Sequence, residues 1–286
     1  MSDKNNSQAT DTGHVWDDNL RELTNQPPRW WMISFYASMA WVVVYFVLYP
    51  AIPLLHGYTK GILGWTQIKE YKQDMQEIEK VRAPYEDKLK GMTPAAVLAD
   101  RELTSYTLNA AKVLFGDRCS ACHGAGGAGN PGFPVLADDD WLYGGDLDTI
   151  QASVTEGRQG MMPNFGSQLS TQEIDELANY VVALSQGQGD SQPAGKALFD
   201  NAGCSGCHGP DGKGMHMMGS ANLTDGIWRF KAKDQLASVK YTITHGVNDG
   251  SDPQTRNAVM PSFQGKLSPT DITKLTVYVH ELGGGQ

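Results

Sequence analysis

The sequence predicts a mainly α-helical protein with one N-terminal transmembrane helix, an amphipathic connector and two small helical domains in tandem. Three observations predict it. Cys119-Ser-Ala-Cys122-His123 returns eighty-five residues later as Cys204-Ser-Gly-Cys207-His208, and the repeat uses all four cysteines. No residue from Trp30 to Ile52 is charged. Behind each cysteine motif, apolar residues recur at helical spacing, as in Ile174, Leu177, Tyr180 and Ile272, Leu275, Tyr278.

Residues 1–29 form a polar tail, and 1 to about 24 are rich in Asn, Gln, Ser and Asp, which predicts little regular structure. Residues 30–53 are the membrane segment, since about twenty apolar residues in a helix span the hydrocarbon core. Trp30, Trp31 and Tyr49 stand at its ends, where amphipathic rings favour the interface, and Pro50 and Pro53 stop the helix. A cleaved signal peptide fits poorly, because a long preceding segment carries Asp17, Asp18 and Glu22. Arg21 and Arg29 before the segment balance Lys60 and Lys69 after it, so charge leaves its orientation open.

Residues 54–105 form the connector. Trp65, Ile68, Tyr71, Met75 and Ile78 fall at helical spacing with Lys69, Glu70, Lys72 and Asp74 between them. This amphipathic helix either packs on the chain's own domains or docks on a partner at the membrane surface. The two domains follow at 106–187 and 193–286, joined by a linker at Ser185–Gln192. Leu114-Phe115 matches Leu198-Phe199, Trp141 matches Trp228, and Met162-Pro-Asn-Phe165 matches Met260-Pro-Ser-Phe263. Ser170 with Glu173, and Ser268 with Asp271, supply capping-box-like helix starts.

Cys-x-x-Cys-His is the pattern of covalent c-type haem attachment. The thiols form thioethers to the haem vinyl groups, and the adjacent His ligates iron from the proximal face. Disulfides, a zinc site or a thioredoxin-like pair also use Cys-x-x-Cys, but none explains a His after each pair or a Met-Pro step downstream. Cys119, Cys122, Cys204 and Cys207 are therefore the attachment residues and His123 and His208 the proximal ligands of two haem c groups. Attachment of haem c takes place outside the cytoplasmic membrane, which puts the N-terminus in the cytoplasm and both domains in the periplasm.

A sixth ligand needs a soft sulfur on a loop opposite the His. Met162 and Met260 each precede Pro, which fixes the local backbone. Met/His ligation raises the potential and leaves no open position, which suits electron transfer. Met161 is a rival without the Pro, and Met215-His216-Met217-Met218 crowds further soft ligands beside the second motif. His245, His280, His14 and His56 are read as structural. Trp141, Tyr143, Arg158, Trp228 and Arg229 are candidates for haem packing and for hydrogen bonds to propionates. No catalytic residue is expected.

Net charge is −9, which excludes nucleic acid as a partner and suits electrostatic steering of a basic donor protein.

The order Pro-Pro-Arg-Trp-Trp31, an anchor ending Tyr49-Pro-Ala-Ile-Pro53, Gly61-Ile-Leu-Gly-Trp65 and Trp141-Leu-Tyr-Gly-Gly145 is more specific than the haem motifs, which are generic to class I cytochromes c. From about residue 25 onward the chain resembles the dihaem cytochrome c subunit (FixP/CcoP type) of cbb3-type cytochrome c oxidases. The resemblance implies two tandem class I cytochrome c domains in a single-pass protein of the bacterial inner membrane. It implies a non-catalytic electron-transfer subunit of a proton-translocating terminal oxidase. The donor would be a periplasmic cytochrome c or the bc1 complex. The acceptors would be a monohaem cytochrome c subunit and the catalytic haem b/copper subunit. Carried over by motif, Met162 would serve the haem of Cys119, Cys122 and His123, and Met260 that of Cys204, Cys207 and His208. The Met215–Met218 stretch departs from the family's pattern. The competing readings are a dihaem cytochrome of another respiratory complex, a dihaem peroxidase and a gas sensor.

Overall fold

The computed structural model describes residues 11–24 and 26–283. It divides into two units, Met1–Arg82 and Ala83–Gln286.

The first unit opens with an antiparallel hairpin, β1 (Asp11–Trp16) and β2 (Leu20–Leu23). This corrects the expectation of a tail without regular structure; residues 1–10 lie outside the described residues. Asp17 and Asp18 adopt left-handed conformations, φ 47° and 66°, which Asp tolerates better than most residues. The Arg21 guanidinium meets the Asp11 carboxylate at 2.8 Å across the pair. Polar composition hid the signal, an Asp-Asp-Asn turn between two short runs.

Helix α1 (Arg29–Leu48) follows Pro28 and ends before extended Tyr49, φ −117°. It is long and apolar enough to cross a membrane. Its large side chains, from Trp30 to Val47, stand exposed around the whole cylinder, as a lipid-facing helix requires. Ser34 and Ser38 turn their hydroxyls back onto the carbonyls of Trp30 and Phe35, leaving neither hydroxyl bare. Strands β3 (Pro53–Leu54) and β4 (Gly57–Tyr58) form a small hairpin. The chain then returns to the helix end. The Ile62 and Leu63 N–H groups donate to the Val47 and Leu48 carbonyls at 2.9 and 3.1 Å, satisfying acceptors that the end of a helix leaves open. A Cβ at Gly61 would collide with the Leu48 carbonyl, and φ there is +68°, so glycine is required. Trp65 packs edge-on to Tyr49 at 5.6 Å. These contacts explain the Gly61–Trp65 block.

Helix α2 (Gln67–Leu89) is the connector. Ile68, Tyr71 and Ile78 are exposed on it, and Met75 is half-buried.

In the second unit the chain runs through α3 (Pro94–Leu98), α4 (Arg101–Arg118), α5 (Ser120–His123), α6 (Leu147–Glu156) and strand β5 (Arg158–Gln159). It continues through α7 (Thr171–Leu184), α8 (Pro193–Asn201), α9 (Ser205–His208), α10 (Gln235–His245), strand β6 (Val259–Met260) and α11 (Pro269–His280). The caps lie where the sequence places them. Ser170 and Glu173 form a reciprocal capping box, and the Ser268 hydroxyl accepts from the Asp271 N–H.

The helices form two lobes, and the lobes do not follow the repeats. Helix α4, which precedes the first cysteine motif, packs on α11, and α11 also packs on α6. Helix α7 packs on α8 and α10. Each lobe thus takes its closing helix from the other repeat. The ring pair Phe115–Tyr278 (5.2 Å) in lobe one reappears as Phe199–Tyr180 (5.5 Å) in lobe two. Buried Ala111 and Gly195 lie one turn before those phenylalanines. At Gly195 a Cβ would meet the Glu176 carbonyl and Tyr180. The physical reason lies in the linker. Only residues 185–192 separate α7 from α8, with a 3-10 turn at Gly189–Ser191, and helices joined so briefly pack antiparallel on each other.

A satellite core of Leu89, Val97, Leu103 and Val277 ties the end of α2 to lobe one. Lys274 is buried there between Glu86 at 3.0 Å and Asp271 at 2.8 Å, and the Tyr106 hydroxyl donates to Glu86 at 2.6 Å. Lys274→Ala is expected to cost up to about 3 kcal/mol, the low end for breaking a buried pair, because both carboxylates keep some water. Thermal unfolding of the purified chain reads the loss.

Candidate functional site

Each cysteine motif is one turn of helix at the end of a longer one. The His123 and His208 N–H groups donate to the Cys119 and Cys204 carbonyls, both at 2.9 Å. Beyond each turn the chain folds back alike: Gly129 N–H reaches His123 O, and Gly214 N–H reaches His208 O. This brings a carbonyl over each imidazole. Nδ1 of His123 lies 3.1 Å from Pro134 O, and Nδ1 of His208 lies 2.9 Å from Ala221 O. A donor bond at Nδ1 fixes the tautomer and leaves Nε2 a free lone pair, the arrangement a ligating histidine needs. Burial pushes both histidines below the usual imidazole range, which keeps them neutral. All four cysteines are free of disulfides. Burial raises the Cys119 thiol to about 11 and raises Cys204 as well. Such surroundings disfavour the thiolate that a zinc site requires and accept a neutral thioether.

Both motifs open into one continuous cavity of about 450 Å³. Its wall includes all four cysteines, both histidines and both Met162 and Met260. Trp141, Tyr143, Arg158, Trp228 and Arg229 line it too. The wall is largely apolar, with Phe115, Ile150 and Val154 on one side and Phe199, Val239 and Ile243 on the other. Two neutral imidazoles with free Nε2, paired thiols and apolar walls fit haem c.

Each Met-Pro loop packs beside the cysteine motif of the other repeat, not beside that of its own. Met260 packs on the lobe-one core beside Cys119 and Trp141. Met162 packs on the lobe-two core beside Cys204 and Trp228. The cause is the helix exchange, because each Met-Pro step leads directly into the swapped helix. The Met260–Ser262 backbone lies against Gly157, and that of Met162–Asn164 against Gly246. Both glycines end a helix with positive φ, 76° and 69°, and a Cβ on either would strike the Met-Pro backbone. Matching hydrogen bonds follow. Phe263 and Gln264 donate to Val154 and Thr155, while Phe165 and Gly166 donate to Ile243 and Thr244. Arg158 pairs with Met260 in a strand, and Met162 with Val247 in a bridge.

Of the rival ligands, Met161 and Met218 also line the cavity, but the rivals are far more exposed. Met161, Met217 and Met218 are 70%, 91% and 49% exposed, and His216 is exposed. His245 is held by Asp252 at 2.9 Å, and His280 faces the Gly145 carbonyl at 3.3 Å. His14 and His56 fall outside the second unit.

Several site residues gave no signal in the sequence. Asn248, at φ 53°, donates from Nδ2 to the carbonyls of Gly160 and Ala258. Asp249 accepts from both the backbone and side-chain N–H groups of Asn164, each at 2.8 Å, and so clamps the Met162 loop. The Ser251 hydroxyl first, and then the Asn164 bonds, hold its carboxyl well below the usual range. The Asn-Asp-Gly-Ser run reads only as a turn until the fold brings residue 164 to it.

Where the lobes meet, Arg229 lies near Asp140 and Tyr143, and burial lowers its guanidinium. Asp140 is pushed up to about 6 by burial first and then by Asp225 and Asp138; Arg229 and His216 oppose the rise. A raised carboxyl holds a proton that the unfolded chain has already lost. Its contribution to stability therefore falls as pH climbs from about 4 to about 6, and stays low above that. Asp140→Asn is expected to gain about 1 kcal/mol above pH 6, after allowing for its partial exposure, and nothing at pH 4. Thermal unfolding at the two pH values measures it.

The chain matches known proteins over most of its length. The family described as the N-terminal domain of cytochrome oxidase-cbb3, FixP, matches residues 8–56. Cytochrome c oxidase, cbb3-type, subunit III matches 107–181, and cytochrome c matches 193–283. The cbb3-type cytochrome c oxidase subunit FixP of Azorhizobium caulinodans is 44% identical, covering 96% of this chain and 93% of its own. The CcoP subunits of Cereibacter sphaeroides and Rhodobacter capsulatus are 37% and 38% identical, each over 96% of this chain and 95% and 96% of their own. With two cytochrome c domains that imply covalently bound haem c behind an N-terminal anchor helix, the chain belongs to the FixP/CcoP family of cbb3-type cytochrome c oxidase subunits.

Proposed function

We propose that the chain is the dihaem electron relay of its oxidase. It holds one haem between His123 and Met260 on Cys119 and Cys122, and a second between His208 and Met162 on Cys204 and Cys207. The observation that carries this reading is the shared cavity, onto which both motifs and both Met-Pro loops open from opposite repeats. Haem c bound there supplies an iron that exchanges one electron at a time. The chain's own part is to hold the iron's surroundings still. The carbonyls of Pro134 and Ala221 orient the imidazoles, and Gly157 and Gly246 seat the methionine loops. Locked ligands on both faces favour electron transfer over oxygen or peroxide chemistry.

In this reading electrons enter from a periplasmic cytochrome c or the bc1 complex. They leave toward a monohaem cytochrome c subunit and the catalytic haem b/copper subunit, where oxygen is reduced. Helix α1 anchors the chain in the inner membrane with its N-terminus in the cytoplasm and both lobes in the periplasm. One cavity shared by both sites supports direct transfer between the haems.

Two measurements test the reading. Intact-mass analysis is expected to find two covalently added haems, and fewer would sink it. Met260→His and Met162→His are each expected to lower a different haem's midpoint by roughly 0.1–0.3 V. In a chain lacking the first attachment (Cys119→Ala with Cys122→Ala), Met162→His should still lower the remaining haem and Met260→His should not. The opposite outcome restores the pairing within each repeat.

A further inference from the structure

One loop of the second repeat is longer than the histidine geometry requires. In the first repeat the carbonyl that meets His123, on Pro134, comes five residues after Gly129. In the second, Ala221, which meets His208, comes seven residues after Gly214. The longer loop is Met215-His216-Met217-Met218-Gly219-Ser220, where the first repeat has Asn130-Pro131-Gly132-Phe133.

The loop is held in a defined shape. His216–Met218 form a 3-10 turn closed by left-handed Gly219, φ 62°. The Ser220 hydroxyl accepts from the Met215 N–H at 2.9 Å and donates to the Cys207 carbonyl, which ties the turn to the second attachment motif. Tyr143 presses on it from the first repeat. A Cβ at Gly219 would collide with the Tyr143 ring, and one at Gly160 would lie 3.1 Å from the Tyr143 hydroxyl and 3.8 Å from the Gly219 carbonyl oxygen. Met161 follows Gly160 and Met218 precedes Gly219, so the two methionines reach the same rim of the cavity, which both line. The His216 imidazole turns to this corner as well, with Nδ1 3.6 Å from the place of a Cβ on Gly144, the neighbour of Tyr143.

The groups gathered there are soft. Met161, His216, Met217 and Met218 are all exposed, so their sulfurs are not used for core packing. A thioether is a weak hydrogen-bond acceptor and gains little from water, but it is a good ligand for a soft cation of low charge. Thioether with imidazole selects Cu(I). Zinc takes thiolate, imidazole or carboxylate, and Cu(II) favours nitrogen and oxygen. Among the described residues no three His, Cys, Asp or Glu side chains gather to hold a harder ion. The local charge agrees, because Asp140 of the acidic seam lies close enough to feel His216, and negative charge there favours a cation.

We propose that His216, Met217 and Met218, joined by Met161 from the first repeat, bind one Cu(I) ion at the rim of the cavity. The exposed turn lets the side chains rotate onto the ion, and Tyr143 brings the ligand of the other repeat within reach. None of these residues belongs to the two iron ligand sets proposed above, so the copper site stands apart from the dihaem reading.

The test is equilibrium dialysis of the purified full-length chain against Cu(I), kept reduced with ascorbate, with bathocuproine disulfonate as competitor and copper counted by atomic emission. Intact mass first gives the number of covalent haems. Any free thiols are alkylated beforehand, so a failure of the dihaem reading shows in the mass and leaves the copper measurement valid. One copper per chain is expected. Leucine keeps the apolar surface and removes the sulfur, so Met217→Leu combined with Met218→Leu should weaken retention by about tenfold or more, as should His216→Gln. Met161→Leu should weaken it to a smaller extent. X-ray absorption at the copper edge should show sulfur neighbours that the leucine variants lose. No retained copper overturns the proposal, as does undiminished retention in Met217→Leu with Met218→Leu, or a copper spectrum without sulfur. If the variants fail to fold, alkylation of methionines in the wild-type chain decides. Cu(I) should protect Met217 and Met218 from iodoacetamide, and equal modification with and without the ion overturns the assignment.

Discussion

The crossing of α4 on α11 and of α7 on α8 is the constraint on which the haem unit depends. In each crossing a small residue, Ala111 or Gly195, lets the helices approach, and a phenylalanine meets a tyrosine one turn later. The eight residues between α7 and α8 favour their pairing, and that leaves α4 only α11 as a closing helix. Everything at the sites follows, because each Met-Pro loop precedes one of the exchanged helices. Two repeats that resemble each other this closely make such an exchange inexpensive in contacts, since either closing helix offers the same apolar face.

The exchange also changes what a domain is here. Lobe one is not a continuous stretch of chain, so it cannot close without the end of the sequence, whereas lobe two runs unbroken from the Met162 loop through α10. The Met260 loop, at the far end of the sequence, completes the site begun at Cys119, and the strand pair of Arg158 with Met260 fastens it there. Rigid coupling between the two sites is the physical consequence, because a displacement of either Met-Pro loop is felt by the helix end of the other repeat.

The seam between the lobes is charged and half-buried. Asp138, Asp140 and Asp225 gather near Arg229, and the crowding raises Asp140. The acidic Leu136–Trp141 and Leu223–Trp228 stretches are repeats of one another, so the fold itself brings like charges together. Such a cluster costs stability at neutral pH. The Lys274, Glu86 and Asp271 group shows the opposite solution, a buried lysine satisfied by two carboxylates.

Local chemistry made much of this legible in the sequence. Cys-x-x-Cys-His carries its own meaning because thioether spacing and an adjacent imidazole are set within five residues. The anchor helix is legible because lipid demands an unbroken apolar run, and the caps at Ser170 and Ser268 because they act over three residues. The hairpin at 11–23 escaped, since its turn chemistry hid in a polar composition. What the tertiary structure alone decided is partnership. Repeat order puts Met162 with His123, but packing sets Met260 beside Cys119, because the choice between two equivalent closing helices depends on loop length and contact, not on motif. Asn248 and Asp249 show the same limit: their roles exist only once residues 160 and 164 of the first repeat lie beside them.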